Sequence, residues 1–102
     1  MNTLKKICGD DSEKYTELLF KIISNLTSSS ITLERLYNEN ELEELKVVSH
    51  NIRNMAGLLG KTKLKIMATY WEDLCRQRKG GDIMEFKLAI DEVLSDIEKR
   101  KQ

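Results

Sequence analysis

Apolar residues recur along the chain at spacings of three and four, the pattern of amphipathic helices with a period of about 3.6 residues. Four stretches carry this pattern. They predict helices over residues 12–38, from the 38–41 turn to residue 60, over 62–78 and over 83–100. A shorter segment, residues 3–8, is too short to be a stable helix alone and is expected to close one end of the fold. No stretch alternates with the two-residue period of a strand.

The apolar positions of each predicted helix fall on one face, and we expect these faces to form the core. They are Tyr15, Leu18, Leu19, Ile22, Leu26, Leu33, Leu36 and Tyr37 in the first helix, and Leu45, Val48, Ile52, Met55, Ala56 and Leu59 in the second. In the third they are Leu64, Met67, Ala68, Trp71, Leu74 and Cys75, and in the fourth Ile83, Phe86, Ile90, Val93, Leu94 and Ile97.

A polar insert, residues 27–30, interrupts the first helix with one threonine and three serines. The apolar stripe keeps its phase across the insert, which favours one continuous helix over residues 12–38. A break near Ser28 to Ser30 is the alternative.

Several residues mark where the helices begin and end. Residues 10–13 and 82–85 have the composition of capping boxes, and Asn40 or a neighbour is expected to cap the second helix. Gly60 is predicted to end the second helix, and the pair at residues 80–81 to end the third. Long amphipathic helices with short connections predict an all-α fold. We expect one domain over residues 1–102, an antiparallel up-down four-helix bundle with a short N-terminal capping helix.

Bulk properties limit the class of function. The chain has 102 residues, with 17 basic and 17 acidic side chains, so no net field attracts nucleic acid or an anionic membrane. No apolar run approaches the roughly 20 residues that cross a bilayer, and the N-terminus has no signal-peptide core. Cys8 and Cys75 have neither metal nor redox spacing, which suits a reducing compartment such as the cytoplasm. A self-contained bundle of this kind is expected to be a monomer.

The chain has one histidine, His50, and its position on the second helix is informative. On a helical wheel it lies opposite the apolar arc, so we expect it to face solvent. Arg53 lies about 60° away, one turn on. Gly57 lies about 20° away, two turns on, where it leaves open space beside the ring. Arg53 as an ordinary solvated charge, and Gly57 as a point of close helix packing, are the alternatives.

The pattern His50-x-x-Arg53, with Gly57 and Gly60 following, resembles the histidine-containing phosphotransfer (HPt) domains of two-component phosphorelays. The resemblance extends from about residue 3 to the end of the chain. One position departs from it: Asn54 stands where the family usually has glycine, close enough to His50 to affect a docking partner.

The resemblance implies a reaction. His50 would accept a phosphoryl group at Nε2 from an aspartyl phosphate of a receiver domain and return it to another receiver aspartate. Arg53, and Lys46 one turn earlier, would stabilise the charge of the phosphoryl oxygens. The chain has no phosphate-binding glycine loop, kinase signature or acidic cluster around His50. The partner would therefore supply Mg²⁺, and the chain would be a phosphoryl carrier rather than an enzyme.

An exposed apolar margin beside His50 is the expected docking surface for the receiver. Val47 and Leu58 lie on this margin. Phe20, Ile23 and Thr27, on the first helix, lie off the core stripe and are expected to extend it. For Phe20 and Ile23, burial in the core is the alternative.

Two other functions remain open from the sequence. A helical interaction domain with the same fold but without the chemistry is the main alternative. A dimeric histidine-kinase phosphoacceptor domain is disfavoured, because such domains usually follow the histidine with an acid and then a proline. Here Asn51 follows His50, and the chain has no proline. The sequence leaves open whether the carrier is free-standing or part of a hybrid kinase.

Overall fold

The predicted helical pattern is confirmed in its main features. The computed structural model describes residues 8–100 and, for that part of the chain, contains helices and no strands. The helices are α1 (Ser12–Asn38), α2 (Leu42–Leu59), α3 (Thr62–Arg76) and α4 (Ile83–Arg100). The predicted N-terminal capping segment lies outside the described residues apart from Cys8, which is buried.

Helix α1 is continuous through its polar insert, as the phase of the apolar stripe predicted. Ser30 is buried on the core face. Next to it, the hydroxyl of Thr27 donates to the carbonyl of Ile23 at 2.8 Å, and that of Thr32 to the carbonyl of Ser28 at 2.9 Å. These two threonine hydroxyls are therefore bonded within their own helix.

Side-chain caps begin two of the helices. Asp11 Oδ1 accepts a hydrogen bond from the backbone N–H of Lys14 at 3.0 Å, and Asp82 Oδ1 accepts one from that of Met84 at 3.1 Å. At the other end of α2, Gly60 has φ 69°, the left-handed conformation predicted for its terminating residue. The bonds accepted by Asp11 and Asp82 satisfy amides that the first turn of a helix leaves unpaired.

Two helix ends differ in detail from the prediction. The N-cap of α2 is Glu41, the neighbour of Asn40, but its side chain makes no capping hydrogen bond, and Asn40 turns the chain with φ 58°. Helix α3 ends at Arg76 rather than at residue 78, and Arg78 is the left-handed residue with φ 55°. The glycine pair therefore does not end α3.

Gly81 has a packing role instead. A Cβ atom added there would lie 2.9 Å from Leu74 Cδ1 and 3.3 Å from Trp71 Cζ2. A side chain at this position would therefore require Leu74 or Trp71 to shift in the core.

The four apolar faces meet in one core. Each helix packs against the next in the chain, and α1 also packs against α4. Trp71 stacks on Phe86 with ring centroids 5.9 Å apart, and Tyr37 meets Trp71 edge-on at 5.5 Å. Every position predicted to face the core is buried or packed half-buried against it. A radius of gyration of 13.9 Å agrees with the ~13 Å of a compact domain of about 100 residues.

Ion pairs link helices at the edges of the core. Lys61, just before α3, pairs with Asp96 of α4, and Lys87 of α4 pairs with Glu34 of α1 at 2.7 Å. The most extensive helix contact is between α2 and α3. It brings the side chain of Glu72, on α3, to within 3.4 Å of His50 Nδ1. Within the described region, no helix is long and apolar enough to span a bilayer.

Candidate functional site

His50 projects from the outer face of α2. Leu45, Ile52 and Ala56, on the opposite face, are fully buried, and they fix the rotation of the helix about its axis. The side chain of His50 is consequently 48% exposed. This is the orientation expected from the helical wheel.

Arg53 lies against the ring of His50. Its Nη2 is 3.0 Å from Nδ1. A guanidinium only donates hydrogen bonds, so Nδ1 accepts in this contact. The side chain of Arg53 is 31% exposed, so it is partly accessible to solvent.

Glu72 of α3 completes the arrangement, and the sequence reasoning did not identify it. Its side chain is 7% exposed, and its Oε1 lies 3.4 Å from His50 Nδ1 and 3.4 Å from Arg53 Nε. Oε1 is buried and has no hydrogen-bond partner among the described residues. A carboxylate on this side of the ring is an acceptor positioned for a proton on Nδ1.

A signal for Glu72 was present in the sequence. It falls on the inward side of α3, directly after Trp71 and three residues before Cys75, both of which are buried. A carboxylate is seldom buried without a partner of opposite charge. An acidic residue on the core side of an amphipathic helix therefore indicated a cation from another helix, which proves to be Arg53.

The two ring nitrogens of His50 have different surroundings. Nδ1 faces Arg53 and Glu72, whereas Nε2 has no hydrogen-bond partner within residues 8–100. A neutral imidazole with a proton on Nδ1 has its nucleophilic lone pair on Nε2. The ring can thus present Nε2 to an electrophile when its proton is on Nδ1, the side that faces Glu72, whereas the contact with Arg53 requires a lone pair on Nδ1.

Lys46 lies one turn before His50 but does not contact the ring in the described structure. Its Nζ is 3.5 Å from Glu43 Oε2 on the same helix, and its side chain is 38% exposed. The pair is close to the surface, so Lys46 can exchange this partner at little cost.

A groove between α2 and α3 begins beside Arg53. Its volume is about 750 Å³, and an added Cβ at Gly57 would meet nothing within 4 Å. The open space predicted there is confirmed, and the close-packing alternative for Gly57 is wrong. The groove is lined by Arg53, Asn54, Gly57, Leu58, Lys65 and Thr69.

A second groove lies between α1 and α2, with a volume of about 450 Å³. Its α2 wall includes Asn51, directly after His50, and Asn54, which also lines the first groove. Its α1 wall consists of Asn25, Ser28, Ser29 and Thr32. These polar residues, and not the predicted apolar ones, are the part of α1 nearest this face of α2.

The residues of α1 predicted to extend the docking margin lie elsewhere. Ile23 and Thr27 line a groove against Leu94 and Ile97 of α4, because they point to the other side of α1 from Asn25 and Ser28. Ile23 also packs half-buried against the core, which was the alternative for it. Phe20 is 58% exposed, so burial in the core is wrong for that residue.

The apolar residues of α2 next to His50 are placed as expected. Val47 is 57% exposed. Leu58 is half-buried at the edge of the core and also lines the groove beside Gly57. One apolar side chain therefore lies on each side of the histidine along α2.

Cys75, one turn after Glu72, is a free and buried thiol. Burial raises the pKa of this thiol above its ordinary value of 9.0, against the opposing effect of Lys46. Within residues 8–100, no three His, Cys, Asp or Glu side chains come together in a way that could hold a metal ion.

Comparison of the chain with protein families, with curated proteins and with solved structures found no match in any of the three.

Proposed function

We propose that the protein is a phosphorelay carrier of the HPt kind. His50 accepts a phosphoryl group from the aspartyl phosphate of a receiver domain and passes it to the aspartate of another receiver. One observation carries this proposal: the only histidine is half exposed, with Nδ1 facing a cation and a buried carboxylate and with no hydrogen-bond partner at Nε2 among the described residues.

The chemistry follows from the two sides of the ring. The lone pair of Nε2 forms the N–P bond, and the P–O bond to the receiver's aspartate breaks with its electrons on the carboxylate. The ring then carries Nδ1–H and a positive charge, which Glu72 stabilises at 3.4 Å. The transition state spreads negative charge over the phosphoryl oxygens. Arg53 supplies compensating charge from one side, and Lys46 is a second source.

The receiver would supply the remaining parts. In this proposal it brings the Mg²⁺ and the acceptor aspartate, and the carrier is not an enzyme in its own right. Catalysis is then mostly positioning of the phosphoryl group between the two proteins.

The surface around His50 supports docking of such a partner. Val47 and Leu58 are apolar, Asn54 lines both flanking grooves, and Gly57 leaves space for an approaching group. A partner that must leave after each transfer needs a small interface. The surface differs from that of the family at Asn54, so we propose that this side chain contributes to the choice of receiver.

We propose an antiparallel up-down arrangement for the bundle. Lys61 lies beside Asp96 and Trp71 beside Phe86, so residue numbers rise along α3 as they fall along α4. The buried Cys8 supports a capping role for the N-terminal segment. Two free buried cysteines suit a reducing compartment, and we place this monomeric carrier in the cytoplasm.

The proposal is tested by mixing the protein with a phosphorylated receiver domain. We expect an acid-labile, base-stable label on the wild type, none on His50→Gln, and a full label on Arg76→Ala, which removes an exposed cation paired with Asp73. A label that survives in His50→Gln, or no label with any of a broad panel of receivers, contradicts the proposal.

A helical interaction domain without chemistry is the second candidate. It is favoured by Ile66 and Tyr70, which are 64% and 53% exposed one turn apart on α3. The labelling experiment separates the two functions, because an interaction domain binds its partner without acquiring phosphate.

A further inference from the structure

Two groups compete for one nitrogen of His50. Arg53 Nη2 is 3.0 Å from Nδ1 and Glu72 Oε1 is 3.4 Å from the same atom. The guanidinium donates, so its contact requires a lone pair on Nδ1 and, in a neutral ring, a proton on Nε2. The carboxylate accepts, so its contact requires the proton on Nδ1. The two bonds belong to different tautomers of the same ring.

In the structure the contact with Arg53 is the one formed. Nη2 meets Nδ1 at hydrogen-bond distance, while the buried Oε1 of Glu72 has no hydrogen-bond partner among the described residues. This geometry corresponds to the ring with its proton on Nε2. In that tautomer Nε2 has no free lone pair and does not attack phosphorus.

An orphaned buried acceptor is unfavourable, so the lack of a hydrogen bond at Glu72 Oε1 raises the free energy of this arrangement relative to one in which Nδ1–H donates to that atom. The second arrangement forms when Arg53 gains another anionic partner and leaves Nδ1. Of the nitrogens of Arg53, Nη2 contacts the ring while Nε lies by Glu72. Rotation about the Cδ–Nε bond swings the planar guanidinium away from the ring while Nε keeps its place.

We propose that Arg53 keeps the resting His50 in its non-nucleophilic tautomer and that an arriving phosphoryl group draws the guanidinium away. This inference rests on the proposed function. Solvent then removes the proton from Nε2 and another proton enters at Nδ1, where Glu72 Oε1 accepts its hydrogen bond. Nε2 gains its lone pair only when the phosphoryl group is present. Arg53 is thus a positioning residue for the ring before it stabilises charge.

Nitrogen NMR tests the resting state directly, because the chain contains a single histidine and its ring signals need no assignment. With the ring neutral and no phosphoryl donor present, we expect the Nε2–H tautomer to predominate in the wild type. Arg53→Ala should shift the tautomer ratio about tenfold toward Nδ1–H, the effect of one charge-assisted hydrogen bond. Lys65→Ala, which removes another cation of the same groove, should leave the ratio unchanged.

Two electrophiles then distinguish the two roles of Arg53, which are holding the ring through Nδ1 and stabilising the charge of a phosphoryl group. Diethyl pyrocarbonate is neutral and acylates an imidazole lone pair, whereas phosphoramidate delivers an anionic phosphoryl group. Arg53→Ala should react faster than the wild type with the first and more slowly with the second. A merely structural role for Arg53 would change both rates in the same direction.

An unchanged tautomer ratio in Arg53→Ala, or a wild type already in the Nδ1–H form, overturns the inference. Neither result bears on the carrier function, which depends on the labelling of His50 by a receiver. Conversely, a protein that no receiver labels can still show the tautomer shift, so the two proposals fail separately.

Discussion

At the scale of the residue, a buried carboxylate lies beside both the histidine and the arginine of the candidate site. Glu72 is 7% exposed and meets His50 and Arg53 at equal distances of 3.4 Å. The helical wheel placed His50 and Arg53 on one surface because both belong to one helix. Glu72 reaches them across a helix contact, and the wheel of a single helix contains no such information.

Substitution of Glu72 tests its role in transfer. Glu72→Gln keeps the shape of the side chain but removes the negative charge beside Nδ1. If the proposed transfer occurs, we expect its rate to fall about tenfold or more, because the phosphorylated ring loses the charge-assisted hydrogen bond that Nδ1–H is proposed to donate to Glu72. Single-turnover transfer measured by label is the assay.

The neighbouring Asp73 provides the control. It is exposed and pairs with Arg76 away from the ring, so Asp73→Asn should transfer at the rate of the wild type. Equal rates for both variants would mean that Glu72 contributes only to packing.

The thiol of Cys75 gives a prediction about pH. Because burial raises its pKa, the folded state keeps the proton to a higher pH than the unfolded state does. Its contribution to stability is therefore complete below the ordinary pKa of 9.0 and is lost as pH rises through the folded value.

In a Cys8→Ala background, iodoacetamide at neutral pH should alkylate Cys75 only after denaturant is added. Rapid alkylation of the native protein would contradict its burial.

At the scale of the element, periodicity predicted the helices well and their ends less well. The core-facing stripe of α1 outweighs its serines, because burial of apolar side chains stabilises a helix more than local propensity does. The error at the end of α3 has a local cause. Arg78 adopts the left-handed conformation that sequence reasoning assigns to glycine, and the glycines that follow serve the packing of Trp71 and Leu74 instead.

Two glycines give opposite predictions for the same substitution. Gly57→Ala places a methyl group in open space within a helix and should raise the free energy of unfolding by about 1 kcal/mol. Gly81→Ala forces a contact of 2.9 Å with Leu74 Cδ1, and it should lower that free energy by about 1–3 kcal/mol. Urea denaturation followed by circular dichroism measures both. The same sign for both variants would contradict the packing described.

At the scale of the whole molecule, one core joins the four helices, and its centre is aromatic. Trp71 and Phe86 are 1% and 0% exposed and stack on each other. This assembly was foreseeable from the four apolar stripes. The placement of the α1 side chains relative to His50 was not, because the direction in which each side of α1 points depends on which neighbour it packs against. Thus Asn25 faces the groove with α2, and Ile23 the groove with α4.

Truncation at the core centre tests the stability of the whole bundle. Phe86→Ala should lower the free energy of unfolding by about 3–5 kcal/mol, since the cavity adds to the lost burial. Leu88→Ala, at a position 59% exposed on the same helix, should change it by less than about 0.5 kcal/mol. The transitions followed by Trp71 fluorescence and by circular dichroism should coincide in each protein. Equal losses for the two variants would mean that the core lies elsewhere.

The left-handed Arg78 has a consequence for how the protein can change. A side chain there is strained by its own Cβ atom, and Arg78 contacts neither His50, Arg53 nor Glu72 in the described structure. Arg78→Gly relieves that strain without altering the surface around His50. Substitutions on that surface that cost stability therefore have a compensating position already available in the connection between α3 and α4.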